Sequence, residues 1–228
     1  MSTIQKIDRR DFVKLFGLAS GGIILGCSVA ADSKDFIPSE HATGFHPNLF
    51  IHLQKNGNII LIASRSEMGQ GIRTSLASAI AEELEADWQY ISVEQAIGHE
   101  KYGNQNTDGS RSVRTRLEPM RKMGATAKMM LITVAAKKWN IATSACKAAN
   151  HFVINTITNE QIFFGDLAAD AAKLPIPKEK NIQLKKVKDF KFIGKNLKSI
   201  DLKDFTHGTA TYGIDVRIPN MKFAAIAR

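Results

Sequence analysis

Two short runs in this 228-residue chain carry residue types that hold ligands through backbone and side-chain hydrogen bonds. The first is Glu67-Met68-Gly69-Gln70-Gly71, in which two glycines flank an amide. Glycine lets the backbone approach a ligand closely. The periodic run that starts at Ile72 would add free N–H groups and the positive end of a helix dipole, the makings of an anion or phosphate cradle. The same pattern also serves as a plain tight turn between a strand and a helix. It is neither a dinucleotide-binding nor a P-loop signature, because the further glycines and the Lys-Ser/Thr pair are missing. The second run is Thr107-Asp108-Gly109-Ser110-Arg111-Ser112. Its hydroxyls, its glycine and the nearby Arg111 and Arg114 charges could form an oxyanion nest. Alternatively it is a capping loop in which Ser112 starts the next helix. The pairing matters more than either part, since two such loops could converge on one polyanionic ligand.

Elements able to position these loops follow from hydropathy and turn residues. Leu49-Phe50-Ile51-His52-Leu53 and Ile59-Ile60-Leu61-Ile62 flank Asn56-Gly57, a strong hairpin signal. The second strand leads into the first loop, and 72–84 has helical periodicity. A strand is expected at 90–95, a polar loop at 98–112 and a long helix at about 115–139. The Met120, Met123 and Met130 stripe of that helix reads as core packing. A second hairpin joins Phe152-Val153-Ile154 to Gln161-Ile162-Phe163-Phe164, followed by a short helix at 167–173 with Asp166 as N-cap. Pro175 and Pro177 end that helix. The Lys-rich 178–203 segment reads as extended and surface-bound, 208–216 as a strand, and 223–227 as the start of another. The sum is an α+β fold.

The N-terminus reads as an address. Arg9-Arg10 with Phe12 and Lys14, then a Gly-rich apolar run ending in Ile24-Leu25-Gly26-Cys27, has the form of a twin-arginine export signal. That route carries folded proteins to the periplasm, which suits a cofactor inserted before export. Leu15 to Leu25 is too short to span a bilayer core of about 30 Å. Cys27 fits a lipobox, which would anchor the protein to a membrane; plain cleavage near Val29-Ala30-Ala31 is the alternative. The expected organisation is a signal at 1–31, a tether at 32–47, a ligand-binding portion at 48–178, a basic linker at 179–203 and the start of another domain at 204–228.

Composition narrows the function. The formal net charge of +9 could suggest nucleic acid. The basic excess, however, is spread along 178–203 without interleaved aromatics or a nucleic-acid motif, so it reads as solubility or a docking face. Cys27 and Cys146 are the two cysteines, too few for an iron–sulfur cluster. The six histidines lack zinc spacing.

Several runs in one order carry a resemblance: Glu67-Met68-Gly69-Gln70-Gly71, Arg73-Thr74, Ala81-Glu82-Glu83-Leu84, Gly109-Ser110-Arg111-Ser112-Val113-Arg114 and Arg121-Lys122-Met123-Gly124-Ala125. Together they resemble the molybdenum subunits of the xanthine dehydrogenase/aldehyde oxidase family. The stretch Gly208-Thr209-Ala210-Thr211-Tyr212-Gly213-Ile214-Asp215-Val216 is similar to the opening of that family's hammerhead-like domain, with His207 where the family commonly has Lys. The resemblance implies molybdenum held by the dithiolene of molybdopterin cytosine dinucleotide, and oxidation of aza-aromatics or aldehydes with water-derived oxygen. It implies that Met68, Gly69, Gln70 and Gly71 line the pterin. Thr107, Gly109, Ser110, Arg111 and Ser112 would hold phosphates or the pterin edge. The family's base Glu lies in a C-terminal part that nothing here matches. The expectation is therefore an N-terminal portion, inactive alone. It would be completed by the rest of the subunit, a small iron–sulfur subunit and an acceptor such as a cytochrome. The competing expectation is a periplasmic lipoprotein with a structural or binding role and a decayed cofactor site.

Overall fold

The computed structural model describes residues 45–226, so Arg9, Arg10 and Cys27, with the leader and nearly all of the tether, lie outside the described residues. Phe45–Asn48, which overlaps the last residues of the expected tether, forms a strand, β1. It pairs antiparallel with β2 (Ile51–Leu53), which pairs antiparallel with β3 (Ile59–Ala63) through the expected Asn56-Gly57 hairpin. Helix α1 (Ile72–Leu84) then crosses to β4 (Ile91–Gln95), which lies parallel to β3. The result is a four-stranded mixed sheet in the order β1-β2-β3-β4.

Helix α2 (Arg111–Trp139) is 29 residues long and starts four residues earlier than periodicity suggested. Its first two turns are largely exposed and polar, so they carry no apolar stripe by which the sequence could announce them. Pro119 stands at the change, and from Met120 onward one face is buried, including Met123, Met130 and Leu131. The methionines are core, as expected. A Cβ on Gly124 would sit 2.3 Å from the Ile80 carbonyl oxygen, so this glycine is what lets α1 and α2 cross so closely.

A second, antiparallel sheet follows, β5 (Cys146–Ala149), β6 (Phe152–Asn155) and β7 (Gln161–Phe163). Asn150 and His151 form the β5–β6 turn with φ of 47° and 73°, the two positive values a type I′ hairpin requires. His151 is fully buried and joins the two sheets. Its Nδ1 accepts the Asp87 N–H at 3.1 Å and its Nε2 donates to the Gly57 carbonyl at 2.8 Å. Tyr90, Phe163 and Phe164 pack around the ring. Helix α3 runs Phe164–Ala171 rather than 167–173, with Phe163 at the N-cap and Asp166 inside the first turn. A Cβ on Gly165 would collide with the Lys55 carbonyl, which fixes how tightly this helix start seats on the β2–β3 turn.

The basic segment lies on the surface as expected, with most of its lysines exposed, but it is anchored: Glu82 and Glu83 of α1, both fully buried, hold it in place. Glu82 accepts the N–H groups of Lys191, Phe192 and Ile193 and the Lys185 ammonium. Glu83 accepts the Lys185 N–H and pairs with Arg121. The strands expected at 208–216 and 223–227 are absent from the described residues. A short helix, α4 (Leu202–His207), ends at Gly208 in a left-handed cap, and 211–226 is exposed with only local turns. A strand needs a neighbouring edge for its backbone groups, and none among the described residues lies beside this segment.

Candidate cofactor-binding site

Both sequence-predicted loops leave the carboxyl ends of the neighbouring parallel strands. Residues 64–71 follow β3 and 96–110 follow β4. In mixed and parallel sheets the crevice at such strand ends is the usual ligand position. Hydrogen bonds bring the loops together: Ala96 N–H donates to the Ala63 carbonyl at 2.8 Å, and Ser66 N–H donates to Thr107 Oγ1 at 2.9 Å. Arg65 Nη1 reaches Asn104 Oδ1 at 3.3 Å, and Arg116 Nη2 donates to the Asn104 carbonyl at 2.6 Å. The convergence anticipated from sequence is therefore a geometric fact.

The first loop uses its glycines as backbone, not as hinges. Gly69 and Gly71 have φ of 92° and 76°, and nothing lies within 4 Å of where a Cβ would stand on either. Space beside both is open. The α1 start differs from a free anion cradle. One carboxylate oxygen of Glu67 accepts the N–H groups of Gly69 at 2.9 Å and Gly71 at 2.8 Å, and the other accepts Arg73 N–H at 3.2 Å. Burial alone would raise the Glu67 pKa, but these amides outweigh it and hold the carboxyl below its ordinary value. The helix start therefore carries its own anion, whose negative charge opposes a phosphate there. Gln70 folds back on its own loop, donating to the Ser66 carbonyl and accepting the Met68 N–H. Met68 is exposed.

In the second loop Gly109 and Ser110 both take positive φ, and Ser110 is the N-cap of α2 without a side-chain cap bond, in place of Ser112. Ser112 lies buried inside the first turn. Arg111 is committed to Asp108, with Nη2 2.6 Å and 2.8 Å from its two oxygens, so much of its charge is already met.

Sequence reasoning missed Arg65. It is 3% exposed, and its Nε has no hydrogen-bond partner among the described residues. Its pKa is lowered by burial first, then by the like charges of Arg116 and Arg111, with Asp108 acting the other way. A cation two residues beyond a buried strand end was the available signal. Among the described residues no group of three or more His, Cys, Asp and Glu side chains is arranged to hold a metal, and no helix is long and apolar enough to cross a membrane.

The molybdopterin cofactor-binding domain family matches residues 4–218. The chain belongs to that family. It is similar to the isoquinoline 1-oxidoreductase beta subunit of Brevundimonas diminuta, 26% identical over 261 residues, covering 97% of this chain and 33% of the relative. It is also similar to the membrane-bound aldehyde dehydrogenase [pyrroloquinoline-quinone] of Gluconacetobacter polyoxogenes, 29% identical, covering 95% and 29%. The chain thus spans about a third of the length of these curated relatives. Among solved structures, quinoline 2-oxidoreductase from Pseudomonas putida 86 aligns with 55% of this chain and 16% of its own, at 14% identity and a TM-score of 0.44.

Proposed function

We propose that this chain supplies part of the molybdopterin site of an exported oxidoreductase of the xanthine dehydrogenase/aldehyde oxidase family. The observation that carries the reading is the junction of the 64–71 and 96–110 loops at the ends of β3 and β4, in a chain of the molybdopterin cofactor-binding family. The residues fit such a group. Open space beside Gly69 and Gly71 suits a flat ring edge, and a buried guanidinium with an unused donor suits an anion.

In this reading Met68, Gly69, Gln70 and Gly71 face the pterin, with backbone edges and the Gln70 amide as donors once that amide turns outward. Thr107, Gly109, Ser110, Arg111 and Ser112 orient the phosphate side. The cofactor is the cytosine dinucleotide form, and when bound it supplies two-electron oxidation of an aza-aromatic or aldehyde with oxygen drawn from water. Glu67 keeps the α1 start closed to anions and so keeps the phosphates on the Thr107 side. The base and the substrate funnel come from the remainder of the subunit, and electrons leave through a small iron–sulfur partner to an acceptor such as a cytochrome. Export runs through Arg9 and Arg10, with Cys27 as the lipid anchor.

Metal and cofactor analysis of the protein purified from its native host, with whatever copurifies, tests this reading. The expected result is stoichiometric molybdenum, with a cytosine nucleotide released by acid hydrolysis. A quinone such as the one in the second relative's name, without molybdenum, would overturn it.

A further inference from the structure

Arg65 is the least explained charge in the described fold. A buried guanidinium is ordinarily paired, because a buried charge left without a partner is strongly destabilising. The single hydrogen bond of Arg65 goes to a neutral amide oxygen, Asn104 Oδ1 at 3.3 Å, and that oxygen also accepts the Asn106 N–H at 2.9 Å. No carboxylate among the described residues forms an ion pair with it. Arg116 binds the backbone carbonyl of the same Asn104 at 2.6 Å, so two guanidiniums bracket one residue at the seam between the loops. Like charges held that close repel unless an anion lies between or beside them.

We propose that Arg65 and Arg116 form a diphosphate-binding site at the seam of the two loops, with the free Nε of Arg65 as its buried donor. Guanidinium forks suit phosphate oxygens, which accept two parallel N–H bonds. The lowered Arg65 pKa, caused by burial and then by Arg116, has the sign expected of a cation awaiting a counter-ion. The Glu67 carboxylate already sits on the α1 start and repels a second anion there, so of the two loop regions this one is left for the diphosphate. The identity of the ligand as the cofactor's diphosphate rests on the proposed function; the existence of the site does not.

Thermal melts of the full chain, prepared without cofactor, test the site with inorganic pyrophosphate as probe and inorganic phosphate as comparison. Pyrophosphate should stabilise the unsubstituted protein, and Arg65→Gln should weaken that binding by about tenfold or more, the scale of a lost charge-assisted pair. Without ligand the order should reverse: Arg65→Gln should melt above the unsubstituted protein, because an unpaired buried charge has been removed. Crossing of the two melting orders is a signature that a merely structural arginine would not give. Arg116→Gln should weaken pyrophosphate binding in the same direction, which keeps the test open if Arg65→Gln fails to fold. Lys147→Gln, an exposed charge on β5, should leave binding unchanged. Overturning results are no stabilisation of the unsubstituted protein, equal stabilisation of Arg65→Gln, a lower melt for Arg65→Gln both with and without ligand, or phosphate binding as tightly as pyrophosphate. Molybdenum and pterin found in the native protein together with melts that do not cross would sink this inference alone. Crossing melts in a protein without molybdopterin would sink the proposed function and leave the site standing.

Discussion

Gln70 shows how much a residue's type can reveal and how little its orientation. The amide between two glycines reads in sequence as a ligand-facing group, but in the fold it donates to the Ser66 carbonyl and accepts the Met68 N–H. Replacement by alanine removes exposed, local bonds, so Gln70→Ala should cost about 1 kcal/mol or less in stability. If the residue serves the cofactor, molybdenum content of the complete subunit should fall well beyond that. Gly71→Ala separates conformation from space, since φ is 76° and the Cβ position is open. It should lower stability by about 1–2 kcal/mol of left-handed strain. Full metal content in both variants would mean the loop is merely a turn. His151 makes the pH-dependent case. Burial, the largest influence, lowers its pKa despite opposing effects from Gly57 and Asp87, so the folded ring is neutral. The unfolded chain, with a histidine pKa near about 6.5, binds the proton more readily. The contribution is therefore present above that value and is lost as pH falls from it towards the lowered folded value. Denaturant titrations should show stability dropping across that window, and His151→Asn should flatten the drop. Neither His151 nor Arg65 announced its burial in sequence, because each is a polar residue whose place is set by tertiary packing.

At the scale of elements, apolar period and turn chemistry carried most of the information. Ile72–Leu84, the Asn56-Gly57 hairpin and the β6–β7 hairpin were legible because each has its pattern and its breaker adjacent in the chain. Strand β1, the exposed first turns of α2 and strand β5 were not, since none has an apolar period of its own; β1 and β5 are strands through pairing with the neighbouring β2 and β6. The anchoring of the basic segment was not legible, because no local pattern tells that Glu82 and Glu83 lie buried and accept the N–H groups of residues about a hundred positions later. Burial, the largest influence on Glu82, would raise its pKa; the Lys185 ammonium and three amides outweigh it and keep the carboxyl below its ordinary value. Breaking such an arrangement leaves buried donors without a full acceptor, a cost of about 3–5 kcal/mol. Glu82→Gln should therefore lower stability by that order and speed hydrogen exchange at Lys191, Phe192 and Ile193 specifically. Exchange at those amides equal to that of the unsubstituted protein would show that the segment is held by other contacts. Since Arg73 pairs with Asp201 at 2.6 Å and Thr74 Oγ1 accepts the Ile200 N–H, the same helix carries both the first candidate loop and the path towards α4.

For the whole molecule, the division between a packed body and an exposed tail decides what the chain can do in solution. From residue 202 onward no described side chain is buried, yet Tyr212, Ile214, Val216, Ile218, Phe223 and Ile226 are apolar and exposed. The strand expected here from the residue pattern is not formed among the described residues. A β-pattern fixes which residues could share a face, but pairing requires an edge. Contiguous apolar exposure of this kind favours association. Because the tail adds nothing to the core built on α1, α2 and the two sheets, removing 209–228 should leave the melt of the body nearly unchanged. The same truncation should shift light scattering of concentrated samples towards the monomer. A truncated protein that still associates to the same degree would place the adhesive surface elsewhere, and the polar, cationic seam around Arg65 and Arg116 would then be the next surface to neutralise, with pyrophosphate present during the measurement.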